Sequence, residues 1–306
     1  MAHKIKGLGW RRGFNDPRDY TPEHPEVKEI LQSAAAVSNN KKGEKLDTAN
    51  LPKTIDNRRY CTPIEDQGNL GSCTANAGVG LYEYMEKKAL GKYMDGSRLF
   101  LYKATRLLMG QEGVGDSGAY IRTTLGAIRL FGIPDETYWP YTDKDPDFDR
   151  MPDAWLWSFA QNFQSMKQFR VDNSPNGDEN IQRMKEYVAK GFALDFGFQV
   201  FVSREQAKRN GGVFPYPSPK EELEGGHSVL IVGYDDDKIS KNEIDGNTQT
   251  GCFLIRNSWG ETWGEGGYGW IPYEYFRPKY NGDVLADDVW TIAKLEWLET
   301  GQFYYQ

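Results

Sequence analysis

The chain has 306 residues, enough for one large domain or two ordinary ones. With 39% hydrophobic and 14% aromatic residues it can fill a sizeable core, which excludes disorder throughout. Its 37 basic and 44 acidic residues leave a net charge of −7 with no Lys/Arg cluster, a poor match to a phosphate backbone, so nucleic acid is not expected as a partner.

No run of about 18 apolar residues occurs, so no membrane-spanning helix is expected. The opening MAHKIKGLGWRRGF is basic but lacks an apolar stretch, so no secretory signal is visible; a cytoplasmic location is expected unless a leader has been lost. Residues up to about 50 differ from the rest. GLGWRRGFNDPRDYTPEHPEV is irregular and punctuated by proline, with DPRDY read as a docking peptide in preference to a bare turn. VKEILQSAAAV predicts one or two helical turns, and SNNKKGEKLDTAN reads as a polar linker. Extended and turn signals begin at LPKTIDNRRYCTPIEDQG.

From Cys73 the pattern turns helical, with Ser72 at the N-cap position and an end at Leu90–Gly91. Further helices are predicted over 97–109, 119–131 and 178–190. Beyond that FALDFGFQVFV, HSVLIVGYD, CFLIRNSW and YGWIPYEYF read as strands, and the polar stretch DDDKISKNEIDGNTQTG as a long hairpin connection. The fold class expected is α+β, a helical half followed by a β-rich half.

Three cysteines without a C-x-x-C pair, and three histidines, argue against a disulfide scaffold and a zinc site, and Asp235-Asp236-Asp237 lacks the spacing of a calcium loop. No metal or cofactor is expected. Cys61 and Cys252 are small buried hydrophobes or a bridged pair, a choice left open. Cys73 is different. It follows the glycine-rich turn QGNLGSC at a predicted helix start, where a partial positive charge and unpaired N–H groups favour a thiolate. His227 opens an apolar strand, and His3 and His24 lie in the irregular N-terminal region, so His227 is the candidate base. Asn257 ends the run CFLIR and can accept from the imidazole, with Trp259 shielding that bond from water.

These segments resemble the papain family of cysteine peptidases, family C1. QGNLGSC matches its Q-G-x-x-G-S-C segment, GGHSVLIVGYD its H-x-V-x-x-V-G-Y segment, and IRNSWGETWGEGGYGWI its N-S-W-G-x-x-W-G-x-x-G-Y-x-x-I segment; LPKTIDNRR looks like the start of the mature enzyme. The resemblance covers about residues 51–300. It implies a two-lobe fold, a helical lobe carrying Cys73 and a β-barrel-like lobe carrying His227 and Asn257, with the cleft between them. The organisation it implies is a prosegment-like region over 1–50, a mainly helical lobe over 51–160 and a β-rich lobe over 161–306. Cys73 would attack the scissile carbonyl, His227 would form the ion pair and protonate the leaving amine, and Asn257 would orient the ring. Gln67 and the Cys73 N–H would form the oxyanion hole. Gly118 in DSGAY would pair with substrate backbone, Phe196 and Ser228 would floor the main specificity pocket, and Trp263 would pack near Trp259. Leu70 stands where a disulfide cysteine is usual and Thr74 where a tryptophan is usual, as in the microbial branch. The partners implied are protein or peptide substrates and the chain's own N-terminal segment as inhibitor of a zymogen; the alternative is a catalytically silent binding module on the same fold. A transglutaminase-like acyltransferase is disfavoured by an asparagine, not an aspartate, as third member.

Overall fold

A computed structural model of the chain describes residues 7–39, 47, 50–161, 166–279 and 283–303. The stretch read as a polar linker falls almost wholly outside the described residues, as does His3. Helix α1 (Pro25–Asn39) runs for 15 residues, about four turns. The one or two turns expected from the sequence fall short of this, because the alanine run after Ser33 continues the helix. Helix α2 (Cys73–Leu90) begins and ends as expected, with Gly91 in the left-handed conformation at its C-terminus, φ 71°. Helices α3 (Arg98–Leu108) and α4 (Ile121–Phe131) pack on α2. Almost the whole circumference of α2 is buried, so it forms the spine between these helices and the sheet.

The sheet is antiparallel, in the order β2 (Lys167–Arg170), β7 (Ala286–Ala293), β3 (Leu194–Phe201), β4 (Leu223–Lys241), β5 (Thr248–Arg256), β6 (Tyr268–Pro272). Strand β1 (Thr54–Asp56) adds to β4, pairing Ile55 with Tyr234. The stretch read as a long connection is the tip of the β4–β5 hairpin, in which Ser240 pairs with Gln249. Short helices α5 (Ala154–Ala160) and α7 (Arg204–Arg209), helix α6 (Gly177–Ala189) and helix α8 (Leu295–Leu298) complete the chain. Cys61, Cys73 and Cys252 are all free and buried, which closes the question of a Cys61–Cys252 bridge.

Two long-range contacts fix the lobes against each other. Arg256 on β5 reaches across to donate to the Pro63 carbonyl at 2.6 Å and to Thr62 at 3.2 Å, and Thr62 in turn donates to buried Glu83 on α2 at 2.6 Å. Burial raises the Glu83 carboxyl to about 7, held back by those partners.

Candidate active site

Cys73 is the first residue of α2 and is wholly buried. Ser72 stands at the N-cap position, yet its hydroxyl makes no cap bond; it meets the Tyr141 hydroxyl at 2.6 Å and the Asn76 amide at 3.1 Å. The backbone N–H groups of Ser228, Gly9 and Thr74 act on the Cys73 sulfur in favour of a thiolate. Ser228 follows His227 on β4, so the nucleophile of one lobe faces the strand that carries the base in the other.

The His227 ring is held from two sides. Its Nε2 meets Asn257 Oδ1 at 2.8 Å, and the Trp259 ring stacks on it with centroids 4.5 Å apart and planes 20° apart. Asn257 Oδ1 also accepts from the Ser258 N–H at 2.8 Å, so the amide oxygen is fixed toward the imidazole. Nδ1 of His227 has no hydrogen-bond partner among the described residues. With Nε2 engaged by Asn257, Nδ1 is the nitrogen free to exchange a proton. Trp263 meets Trp259 edge-on at 5.4 Å, closing that side to water.

Gln67 is buried, and its amide cannot turn over. Oε1 accepts from the Ser258 hydroxyl at 2.6 Å, which points Nε2 toward the nucleophile's loop, where it donates to the Leu70 carbonyl at 2.9 Å. Nε2 also donates to the carbonyl of Gly7 at 3.0 Å. Ser258 is a positioning residue that the sequence reading passed over, although it sits between Asn257 and Trp259.

The N-terminal segment lies in this cleft. Trp10 donates its backbone N–H to the Gly226 carbonyl at 3.0 Å and its indole N–H to Asp288 Oδ2 at 3.2 Å, and Gly9 and Arg11 bracket Ala119, accepting from its N–H at 2.8 Å and donating to its carbonyl at 2.9 Å. The pairing is parallel, centred on Trp10 and Ala119. The residue whose backbone pairs is thus Ala119 and not Gly118. Gly118 is the close-packed neighbour, in which a Cβ would fall 2.3 Å from the Gly9 carbonyl. DPRDY docks as expected: Asp19 pairs with Arg122 on α4, and the Tyr20 carbonyl accepts from the Arg170 N–H at 2.7 Å.

Phe196 does not face this segment. It is fully buried against Phe198 and Phe276 on the opposite face of β3, because strand neighbours alternate sides. The position presented to the segment is Gly197, directly under the Trp10 ring. Ser228 lies on the same face as Gly197, its hydroxyl donating to buried Asp195 at 2.6 Å.

Burial works against the expected ion pair. It pushes the Cys73 thiol up to about 12, against the backbone N–H groups, and holds His227 down at about 4, against its bond to Asn257. Asp235 to Asp237 carry no metal-like group among the described residues; Asp237 pairs with Lys53 at 3.0 Å and Asp236 with Lys185 at 2.8 Å.

Residues 51–277 match the family model of the papain family cysteine proteases. An uncharacterised peptidase C1-like protein of Acanthamoeba polyphaga mimivirus is 35% identical over 264 residues, 81% of this chain and 78% of that protein. Cathepsin K of Mus musculus is 27% identical over 221 residues, and the match spans 59% of its length. Among solved structures, xylellain, a cysteine protease from Xylella fastidiosa, superposes with a TM-score of 0.72 at 30% identity, over 96% of this chain and 98% of that one.

Proposed function

Because this chain belongs to the papain family of cysteine proteases, and is on that ground a cysteine-type peptidase, we propose that it is an endopeptidase held as a zymogen by its own residues 1–50. The observation that carries the reading is the Gly7 carbonyl on Gln67 Nε2, next to a nucleophile covered by Gly9. Substrate carbonyl and N-terminal segment compete for one donor.

In the open cleft the Cys73 thiol passes its proton to His227 Nδ1 and the sulfur attacks the scissile carbonyl carbon. Negative charge on the carbonyl oxygen meets Gln67 Nε2 and the Cys73 N–H. The imidazolium, oriented by Asn257, gives its proton to the leaving amine as the C–N bond breaks and a thioester remains. Water then yields a proton to His227 and attacks the thioester, releasing the acid and the thiol. Intact Gln67, Cys73, His227 and Asn257 in one cluster support this over the silent binding module.

The test is labelling with a peptide carrying a thiol-reactive electrophile. Modification confined to Cys73, accelerated when the chain begins at Leu51, is the expected result. A chain that cleaves peptides with Cys73 unmodified and unmodifiable overturns the reading.

Gln67→Ala is expected to lower kcat by roughly 10²–10³-fold with a smaller change in KM, because the donor acts where charge develops. Steady-state kinetics on one peptide substrate check it.

The acid response of the occluded state follows from two groups. His227 is depressed from 6.5 to about 4, so its contribution to occlusion is present above pH 6.5 and lost as the pH falls through about 4. Asp287, which holds Arg12 of the segment at 2.7 Å, is raised by burial to about 6 against the pull of that arginine. Arg12 favours the ionised carboxylate, so the contribution of this ion pair is present at higher pH and lost as the pH falls through about 6. Both contributions fade in the same direction, so occupancy is expected to drop as the pH is lowered from about 7 to 4. Asp287→Asn removes the second effect and is expected to weaken occupancy at neutral pH and to leave only the His227 window. Phe14 is 86% exposed, so a fluorophore at that position reports occupancy without disturbing the contact.

A further inference from the structure

We propose that Asp116 is a positioning residue for peptide cleavage, the tie that sets the nucleophile loop at a fixed distance from the stretch along which substrate backbone is laid. The inference rests on the peptidase reading and adds a residue to it.

The two parts that must meet a substrate are separate stretches of chain. Residues 67–73 carry Gln67 Nε2 and the Cys73 N–H, and Ala119 carries the backbone pairing that Gly9 and Arg11 now occupy. A peptide being cleaved spans both at once, so their spacing decides whether its scissile carbonyl arrives over the sulfur. No disulfide fixes that spacing, because all three cysteines of the chain are free. The backbone beside Asp116 adds little stiffness of its own: Gly115 and Gly118 stand at positive φ, 78° and 68°.

Asp116 supplies the tie. Its Oδ2 accepts from the Gly71 N–H at 3.0 Å, two residues before the nucleophile. Its Oδ1 accepts from the Tyr102 hydroxyl at 2.5 Å, and the same hydroxyl accepts from the Gly118 N–H at 3.0 Å. Tyr102 is fully buried on α3, so one side chain packed in the core holds Asp116 and Gly118 together. Arg106, one turn further along α3 and also buried, donates to the Gly115 carbonyl and to Ser117 Oγ at 3.4 Å, and is itself held by Asp149 at 2.9 Å. Each residue from Gly115 to Gly118 is thus anchored to α3, and Asp116 carries that anchorage across to the nucleophile loop. A carboxylate suits the task because its two oxygens accept in different directions at once. The crossing is close: a Cβ on Gly71 would fall 2.9 Å from Asp116 Oδ1.

The nucleophile loop has its own fastening on another side. The Tyr141 hydroxyl donates to the Gln67 carbonyl at 2.9 Å and meets Ser72 Oγ at 2.6 Å, which clips the two ends of the loop together. Loss of the Asp116 carboxylate therefore leaves the oxyanion donors and the sulfur in place relative to one another. What it frees is the substrate-pairing stretch relative to both.

The full-length chain is compared with its Asp116→Ala and Asp116→Asn variants. Inactivation at Cys73 is timed with iodoacetamide, which needs the thiol alone, and with a peptide carrying a thiol-reactive electrophile, which must also lie along Ala119. The ratio of the two rates cancels the fraction of chains whose cleft is open. In Asp116→Ala the peptide reagent is expected to lose about 10- to 100-fold relative to iodoacetamide. Turnover at saturating peptide, where substrate has displaced the segment, is expected to fall by a similar factor. Asp116→Asn keeps an oxygen for the Gly71 N–H and a polar group against Tyr102, and is expected to return both readings to within about fivefold of the parent. An unchanged ratio in Asp116→Ala overturns the proposal, whether both reagents slow together or neither does. An unchanged kcat, or an asparagine variant no better than the alanine one, overturns it too. Labelling needs no cleavage, so a chain that reacts with both reagents and turns over no peptide sinks the peptidase reading while the ratio still decides whether Asp116 holds the two stretches in register.

Discussion

A chain carrying Cys73→Ala is expected to lose turnover by at least about 10⁴-fold while remaining folded, because in nucleophile-and-base sites the loss of one member removes most of what the group achieves. The structural cost is small by comparison. Cys73 is completely buried, and exchanging its sulfur for hydrogen removes one heavy atom from a packed helix start, a cavity effect on the order of 1 kcal/mol. Thermal unfolding of the full chain is expected to move by a few degrees at most. Turnover of a fluorogenic peptide and the unfolding midpoint, measured on the same preparation, separate the two effects. Retained cleavage in Cys73→Ala would sink the assignment of the nucleophile, since Cys61 and Cys252 are buried elsewhere and pair with neither His227 nor Gln67.

The second large effect is in the opposite direction. Gly9→Ala is expected to raise peptide turnover of the full chain by about 5- to 150-fold. A Cβ at residue 9 would fall 1.9 Å from the Gly71 carbonyl oxygen and 2.6 Å from the Gly71 Cα, both backbone atoms of the loop that sets the nucleophile. Neither can yield without disturbing α2, so the segment must move. Overpacking of this kind costs about 1–3 kcal/mol, which is the stated range of population change. The bonds on either side, Gly7 to Gln67, Gly9 to Ala119 and Trp10 to Gly226, depend on the same register and go together. The comparison that checks it sets the parent, Gly9→Ala and a chain beginning at Leu51 side by side. Equal rates for all three would mean that residues 7–14 do not occlude anything.

The parts of the molecule legible in the sequence are those whose signal is local. Helix α2 announces itself by a glycine-rich turn, an alanine-containing apolar run and Gly91 after Leu90. The strand bearing His227 and the hairpin beyond it follow from an apolar run ended by charged and turn residues. Cys73, His227, Asn257 and Gln67 were legible through spaced motifs, though not the burial that works against charge on the thiol and the imidazole, nor the contact with Gly9, more than sixty residues away in sequence. Strand β7 went unread because ADDVWTIA opens with two aspartates, which signal a turn when nothing shows their partners. Those partners, Trp10 and Arg12, lie more than 270 residues upstream, and no periodicity carries information over that distance. Asp195 within FALDFGF was a sign available in the residues: a lone acid in an apolar strand demands an explanation, and here Ser228 supplies half of it. Phe196 was misplaced by its neighbour, since a one-residue step along a strand moves a side chain to the other face.

The amide of Gln67 is pinned by the Ser258 hydroxyl and turned toward Gly7, so in the function proposed above restraint and reactivity draw on the same N–H. The two properties cannot then drift apart independently. A substitution that blunts the chemistry also slackens the safety catch, so Gln67→Ala should narrow the gap in rate between the full chain and one beginning at Leu51.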